Sequence, residues 1–231
     1  MKLVYIAAPY HADTPEKMEN NRQTALASCE EAYRLGRLQG IKIVPVTPLG
    51  NFSYLNENSQ DEREQALHMG IALLSRCDEL WVAGDHISEG MREEIQAAVR
   101  LEKPVYSMGM EQQKIQAAIT GMPPMLDEKC CYKNSEQKDY SGQLLVLKAS
   151  VLAPWMLDPR NQLWIAENGF GTKPNASGRA VFATCLMDGE RARFNREDFY
   201  GIANPNRLPD FAKEKLSENQ QNIDESEEFE P

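Results

Sequence analysis

The sequence lacks long hydrophobic runs, an excess of positive charge and the paired cysteine spacing of disulfide or zinc frameworks. No apolar stretch approaches the roughly 18 residues of a membrane-spanning helix, so we expect no membrane partner. The net charge is -10, which argues against a nucleic acid polymer as partner, because that affinity comes from many Lys and Arg contacts to phosphates. The five cysteines contain no CxxC pair and the three histidines are scattered. We therefore expect a reducing compartment, no metal site and no other cofactor.

The N-terminal apolar stretch is short, and Pro9 and Tyr10 interrupt it without a convincing cleavage site after it. A signal peptide needs a longer apolar region that ends in such a site. We expect a first buried strand here instead, in a cytoplasmic protein.

Short apolar runs alternate with amphipathic stretches over the first half of the chain. The apolar runs predict strands at residues 3–8, 41–46, 79–83 and 104–108. The amphipathic stretches predict helices at residues 14–38, 61–76, 90–102 and 112–120. This alternation is typical of a parallel sheet with right-handed crossovers. We expect an α/β domain over residues 1–122, with a flavodoxin- or Rossmann-like parallel sheet and helices on both faces.

The pattern changes after residue 122. Residues 123–142 are polar and irregular, which predicts a linker. Apolar runs then predict short strands at residues 143–148 and 163–167, followed by a hairpin over 179–194 that turns at Asp188-Gly189. We expect a small β-rich second unit over residues 143–214, of unknown function. Residues 215–231 hold six acidic residues after Lys215 and predict a disordered acidic tail.

Three segments follow the first three predicted strands, at the edge where open parallel sheets bind ligands. Ala8 and Pro9 follow the first strand, Thr47 follows the second, and residues 84–90 follow the third. The third segment runs directly into a helix, where Ser88 and Gly90 would lie beside exposed backbone N–H groups. Such a helix N-terminus attracts anions, so these five residues are candidate ligand contacts.

Glu94 lies one turn further into the same helix, next to its apolar side. A carboxylate at this position could point back to the ligand crevice. Acidic residues are also common in the first turns of helices without any other role. The pattern alone leaves both interpretations open.

Several residues of the first half occur in a specific order and spacing: Tyr5 in the first strand, Cys77-Asp78 before the third, Ser88-Glu89-Gly90, and Glu94. This order resembles the nucleoside 2-deoxyribosyltransferase family over about residues 1–110. It is more similar to the branch of the 2'-deoxynucleoside 5'-phosphate N-hydrolases and to relatives with a SEGM motif. The spacing is short, but it lies in the strand–loop–helix context of the family.

The resemblance implies a role for each matching residue. Glu94 falls where the family has a glutamate nucleophile, and the helix N-terminus is expected to keep it ionised. Tyr5 falls where a tyrosine contacts the sugar and orients that glutamate; a buried strand tyrosine without this role is equally consistent. Ser88 and Gly90 match positions that hold the 5'-phosphate, which favours a nucleotide over a free nucleoside. The resemblance also implies a homo-oligomer, a dimer or larger, with sites completed across subunits.

One position departs from the family pattern. Gly70 stands where the family has an aspartate that handles the nucleobase. Asp85 is a candidate acid in its place, although a role in capping its own loop is as consistent with the sequence. The leading hypothesis is an enzyme that cleaves the N-glycosidic bond of a (deoxy)nucleotide by hydrolysis or base exchange. The alternatives are a non-catalytic nucleotide-binding or sequestering protein, such as a reader of a signalling nucleotide, and an interaction module that uses the second unit.

Overall fold

The computed structural model describes residues 1–9, 12, 14–52, 54–55, 59–175 and 180–217. The chain divides into two compact units, Met1–Met122 (unit 1) and Pro123–Pro231 (unit 2). Within the described ranges, no helix has both the length and the apolar character needed to cross a membrane.

Unit 1 is built on one parallel sheet in the strand order β2-β1-β3-β4. Its strands are β1 (Lys2–Ala7), β2 (Ile43–Val46), β3 (Glu79–Ala83) and β4 (Val105–Met108). Its helices are α1 (Pro15–Leu38), α2 (Pro48–Asn51), α3 (Gln60–Arg76), α4 (Glu89–Arg100) and α5 (Gln112–Thr120). The predicted α/β fold class is confirmed.

Alternate residues of β1 pack against helices on opposite faces of the sheet. Val4 and Ile6 lie in a buried cluster with Ala25 and Ala32 of α1. Tyr5 and Ala7 face the other way and pack with apolar residues of α3 and α4, among them Leu74 and Ile95. A strand buried on both faces is continuously apolar, which is why this stretch lacks the alternation of a surface strand.

The neighbouring strands β1 and β3 lead into helices on opposite faces, because α1 packs on one side and α4 on the other. Open parallel sheets bind ligands at such a point, outside the carboxyl ends of the two strands. Gly84, directly after β3, has φ +93°, and a Cβ there would lie 2.8 Å from Pro9 Cδ. Only glycine allows the two strand ends to approach this closely.

Unit 2 contains an antiparallel sheet in the order β8-β7-β6-β5-β9. The strands are β5 (Leu144–Leu147), β6 (Leu163–Asn168), β7 (Ala180–Cys185), β8 (Arg191–Asn195) and β9 (Phe199–Ile202). No pattern in the sequence predicts β9. This strand has four residues, one of them Gly201 with φ +142°, and its partner β5 lies far back along the chain. A short glycine-containing strand gives little periodic signal.

Residues 123–142, predicted as a linker, instead lie within unit 2 and contribute buried residues to it. Leu126, Ser135 and Tyr140 are buried. The amide of buried Gln162 accepts from Leu126 N at 2.7 Å and donates to Leu126 O at 3.0 Å. The segment is polar in sequence because short 3-10 turns and such hydrogen bonds, rather than a strand or long helix, hold it in place.

The C-terminal end of unit 2 differs from the predicted boundary of the tail. Residues 210–217 are helical, so the first three residues of the predicted disordered tail belong to a helix. Buried Leu208 and Ala212 pack in one of the two cores of the unit. The remaining residues of the predicted tail, 218–231, lie outside the described residues.

Arg196 is a buried arginine that joins separate segments of unit 2. Its guanidinium stacks on the Tyr140 ring, 3.7 Å from the ring centroid. It donates to four backbone carbonyl oxygens, those of Glu136, Lys138, Gly171 and Thr172. The planar guanidinium can satisfy several acceptors at once, which explains how one buried cation is accommodated here.

Candidate functional site

Tyr5 and Glu94 form a buried pair at the core of unit 1. The Tyr5 hydroxyl donates to Glu94 Oε1 at 2.6 Å. Tyr5 is fully buried on β1, and only 8% of Glu94 is exposed. The same face of α4 buries Met91 and Ile95, so Glu94 occupies the apolar side of its helix. The interpretation of Glu94 as a surface residue is therefore excluded.

Burial raises the pKa of Glu94 to about 7, and the hydrogen bond from Tyr5 lowers it by less than burial raises it. At this pKa both protonation states are populated at neutral pH, so the start of α4 does not keep Glu94 fully ionised as expected from the sequence. The helix macrodipole acts mainly within the first turn, whereas Glu94 lies in the second. Burial also raises the pKa of Tyr5 well above its ordinary value, so its hydroxyl stays protonated as a donor.

The backbone of α3 closes over this pair at Gly70. A Cβ placed on Gly70 would lie 3.0 Å from Tyr5 Oη and 3.7 Å from Glu94 Oε1. The same point is 3.8 Å from Pro48 Cβ, at the start of α2. In the sequence, Gly70 stands out only as a departure from the pattern of the family that the sequence resembles. Its contact with the pair depends on packing between distant elements, which no local sequence signal reports.

The start of α4 offers free backbone donors and a hydroxyl. Ser88 is the N-cap of α4, and its Oγ accepts from Met91 N at 3.3 Å. A hydroxyl that accepts in this way still has its own proton to donate. The space around Gly90 is open, since a Cβ there would meet nothing within 4 Å. The first N–H groups of a helix have no partner within the helix, so this end can bind an anion.

Thr47 supplies a buried hydroxyl directly after β2, whose last residue pairs with Tyr5 of β1. It directly precedes Pro48 and is 6% exposed. Its Oγ1 has no hydrogen-bond partner among the described residues, although it stands at the N-cap position of α2. Buried polar atoms are rarely left unpaired, so each such atom requires an explanation. A bound ligand with a polar group would provide the missing partner.

Ala8 and Pro9 directly follow β1 at the same edge of the sheet. Ala8 is buried with the residues that face α1, and Pro9 packs against Gly84. Both shape the crevice through their backbone and their small apolar surface. Neither presents a polar side chain to a ligand.

Asp85 lies apart from the pair. Its side chain is 95% exposed, and its Oδ1 is 2.8 Å from His86 Nδ1. The hydrogen bond with His86 lowers the pKa of Asp85, so this carboxyl is ionised at neutral pH and has no proton to donate. In the described part of the chain, no contact joins Asp85 to Glu94. Such a placement does not favour Asp85 as the acid.

Clusters that could hold a metal ion require three or more His, Cys, Asp or Glu side chains together. The described ranges contain no such group. The arrangement at the edge of the sheet is therefore one of a buried carboxyl, a tyrosine hydroxyl and a helix N-terminus.

The comparisons with known proteins concern unit 1. No curated protein matches the chain. Residues 2–108 match a family model described as a domain of unknown function, DUF7768. That range contains Tyr5, Thr47, Gly70, Ser88 and Glu94, the residues that form the candidate site.

Proposed function

We propose that unit 1 cleaves the N-glycosidic bond of a nucleotide, by hydrolysis or base exchange, with Glu94 as the nucleophile. The buried Tyr5–Glu94 pair beside the start of α4 is the observation that carries this proposal. A carboxylate nucleophile replaces one difficult displacement by two easier steps. The residues follow the order of the nucleoside 2-deoxyribosyltransferase family, which the sequence resembles.

The reaction begins with ionised Glu94, which attacks the anomeric carbon through one carboxylate oxygen. A glycosyl ester forms as the C–N bond breaks, and the electron pair of that bond leaves with the base. Water or a second base then attacks the same carbon, loses a proton as the new bond forms, and releases the carboxylate. That proton balances the one that the departing base takes up from solvent. The Tyr5 hydroxyl, bonded to Oε1, holds the carboxylate in one orientation during both steps.

A nucleotide fits the site better than a free nucleoside. The open backbone at Gly90 and the free proton of the Ser88 hydroxyl can bind the 5'-phosphate at the start of α4. Thr47 contributes its unpartnered hydroxyl to a polar group of the ligand. Glu89, in the same turn, is 83% exposed, and its carboxylate lies 3.9 Å from the Arg63 guanidinium.

A second candidate function is nucleotide binding without turnover. Two observations favour it: Gly70 offers no side chain to the leaving base, and Asp85 is exposed. The pKa of Glu94, about 7, also leaves part of the protein without the ionised nucleophile at neutral pH.

Incubation of the full chain with a panel of deoxynucleotides, followed by chromatography for free base, tests the proposal. Glu94→Gln should lower base release by a factor on the order of 10³ or more, because an amide cannot form the glycosyl ester. Its affinity for the nucleotide, measured by calorimetry, should change much less. Glu93→Gln is the matched control, since it makes the same chemical change one residue away and should keep full turnover.

Two outcomes would contradict parts of this proposal. If Glu94→Gln releases base as fast as the parent, Glu94 is not the nucleophile. If the parent binds nucleotides but releases no base over the whole panel, the protein binds without turnover.

A further inference from the structure

Gly70 occupies a position where a helix does not favour glycine. It lies inside α3, well away from both ends, and it is not among the residues with positive φ. Glycine at such a position destabilises a helix relative to alanine, because it loses more backbone freedom on folding. The backbone conformation of α3 therefore gives no reason for glycine at this position.

The space next to Gly70 gives the reason. A Cβ would lie 3.0 Å from Tyr5 Oη, which is closer than nearly all real contacts of a Cβ. The Tyr5 ring cannot withdraw easily, since it is fully buried on a central strand. It packs in the cluster that also holds Ile71 and Leu74 of α3. A methyl group at Gly70 would therefore displace either the Tyr5 hydroxyl or α3 itself.

We propose that Gly70 is a positioning residue, whose missing side chain leaves the space in which the Tyr5 hydroxyl meets Glu94. Its importance for turnover rests on the proposed function, but its effect on the pair does not. The side chain that carries chemistry is Glu94, and Gly70 acts on it only through Tyr5.

Two titratable groups near Glu94 bear on its titration. Tyr5 is hydrogen-bonded to Glu94, and the Cys77 thiol, directly after α3, would act on Tyr5 if it were charged. Burial raises the pKa of Cys77 to about 11, so this thiol stays neutral over the range in which Glu94 titrates. The hydrogen bond from Tyr5 lowers the pKa of Glu94. A weaker bond and an added methyl group would both raise it.

The test is a ¹³C NMR titration of the Glu94 carboxyl in the full chain, with the resonance assigned from its loss in Glu94→Gln. Gly70→Ala should raise the pKa of Glu94 relative to the parent. Tyr5→Phe should also raise it. In the double variant Tyr5→Phe/Gly70→Ala, the methyl group should add a smaller shift than it does in the parent, because the hydroxyl it displaces is gone and only its burial of the carboxylate remains. Gly121→Ala is the control, since a Cβ there makes an ordinary contact of 3.6 Å.

A pKa of Glu94 in Gly70→Ala equal to that of the parent would overturn the proposal. If Gly70→Ala does not fold, the double variant should restore folding, and failure of both to fold would show that the clash is not with the Tyr5 hydroxyl. The titration needs no turnover, so a shifted pKa without base release would contradict the proposed reaction and still support the role of Gly70. If turnover is present, the pH profile of base release should move with the pKa.

Discussion

The buried environment of Glu94 favours its protonated form, and this lowers the stability of the folded protein at neutral pH. Its pKa in the folded chain is about 7, above the ordinary value of 4.5 that an unfolded chain would have. The stability that comes from the bound proton is fully present below about pH 4.5 and is lost as the pH rises through about 7. The difference corresponds to roughly 3 kcal/mol.

Glu94→Gln should therefore stabilise the protein at pH 8 and change its stability much less at pH 5. The amide keeps an oxygen that accepts from Tyr5 but has no charge to bury. We expect a gain of up to about 3 kcal/mol at pH 8, measured by urea unfolding at both pH values. Glu93→Gln, which makes the same chemical change one residue away, is the matched control. A variant less stable than the parent at pH 8 would contradict the burial argument.

The sequence predicts the residues of the pair but not their environment. The resemblance places Tyr5 and Glu94 in one site although 89 positions separate them. The pKa of Glu94 depends on how completely the distant elements β1, α3 and α4 exclude water, and a linear pattern does not contain that information. For the same reason, the contact of Gly70 with Tyr5 becomes visible only in three dimensions.

At the scale of elements, the start of α4 combines a structural and a proposed binding role in Ser88. Ser88→Ala should destabilise unit 1 by about 1 kcal/mol, because the cap to Met91 is lost. Ser88→Gly also removes the hydroxyl but costs only a few tenths of a kcal/mol as an N-cap. If Ser88 binds the phosphate, both variants should weaken nucleotide affinity by roughly 1 kcal/mol in calorimetry. If only the alanine variant binds the nucleotide more weakly, the loss of affinity comes from the destabilised helix and not from the missing hydroxyl.

The buried contacts of Arg196 connect separate segments of unit 2, and they depend on the shape of the guanidinium. Arg196→Lys should destabilise this unit by roughly 3 kcal/mol, since lysine cannot reproduce four hydrogen bonds and the stack on Tyr140. Arg193→Lys is the matched control, because Arg193 is exposed on β8 and should change stability by less than about 0.5 kcal/mol. Thermal unfolding of both variants makes the comparison. Equal stability of the two would show that the buried contacts of Arg196 contribute little.

Local sequence patterns predict the helices and strands of unit 1 well and those of unit 2 less well. Thr14-Pro15 begins α1 as predicted, since Thr14 caps the helix and Pro15 fits its first turn. The sequence does not predict β9, because this strand is held by pairing with the distant β5. It also does not predict the structure of residues 123–142, because buried hydrogen bonds to distant residues such as Gln162 hold that segment. Periodicity predicts elements that bury one regular face, and these segments have none.

At the scale of the whole molecule, each unit has cores of its own. The buried clusters around Tyr5 and around Val4 contain only residues of unit 1. The clusters around Trp164 and around Leu163 contain only residues of unit 2. The family match, residues 2–108, likewise falls within unit 1. The homo-oligomer that the resemblance implies stays a prediction, and light scattering would test it.

Because its cores are internal, unit 1 should fold without the rest of the chain. We expect a fragment of residues 1–122 to unfold in one cooperative transition, as small single domains usually do. Its Glu94 should titrate with a pKa of about 7, as in the full chain, since Tyr5, Gly70 and Pro48 are all present in the fragment. Circular dichroism during urea unfolding and the ¹³C titration measure the two properties. A Glu94 pKa near the ordinary value of 4.5 in a folded fragment would contradict the burial of the pair within unit 1.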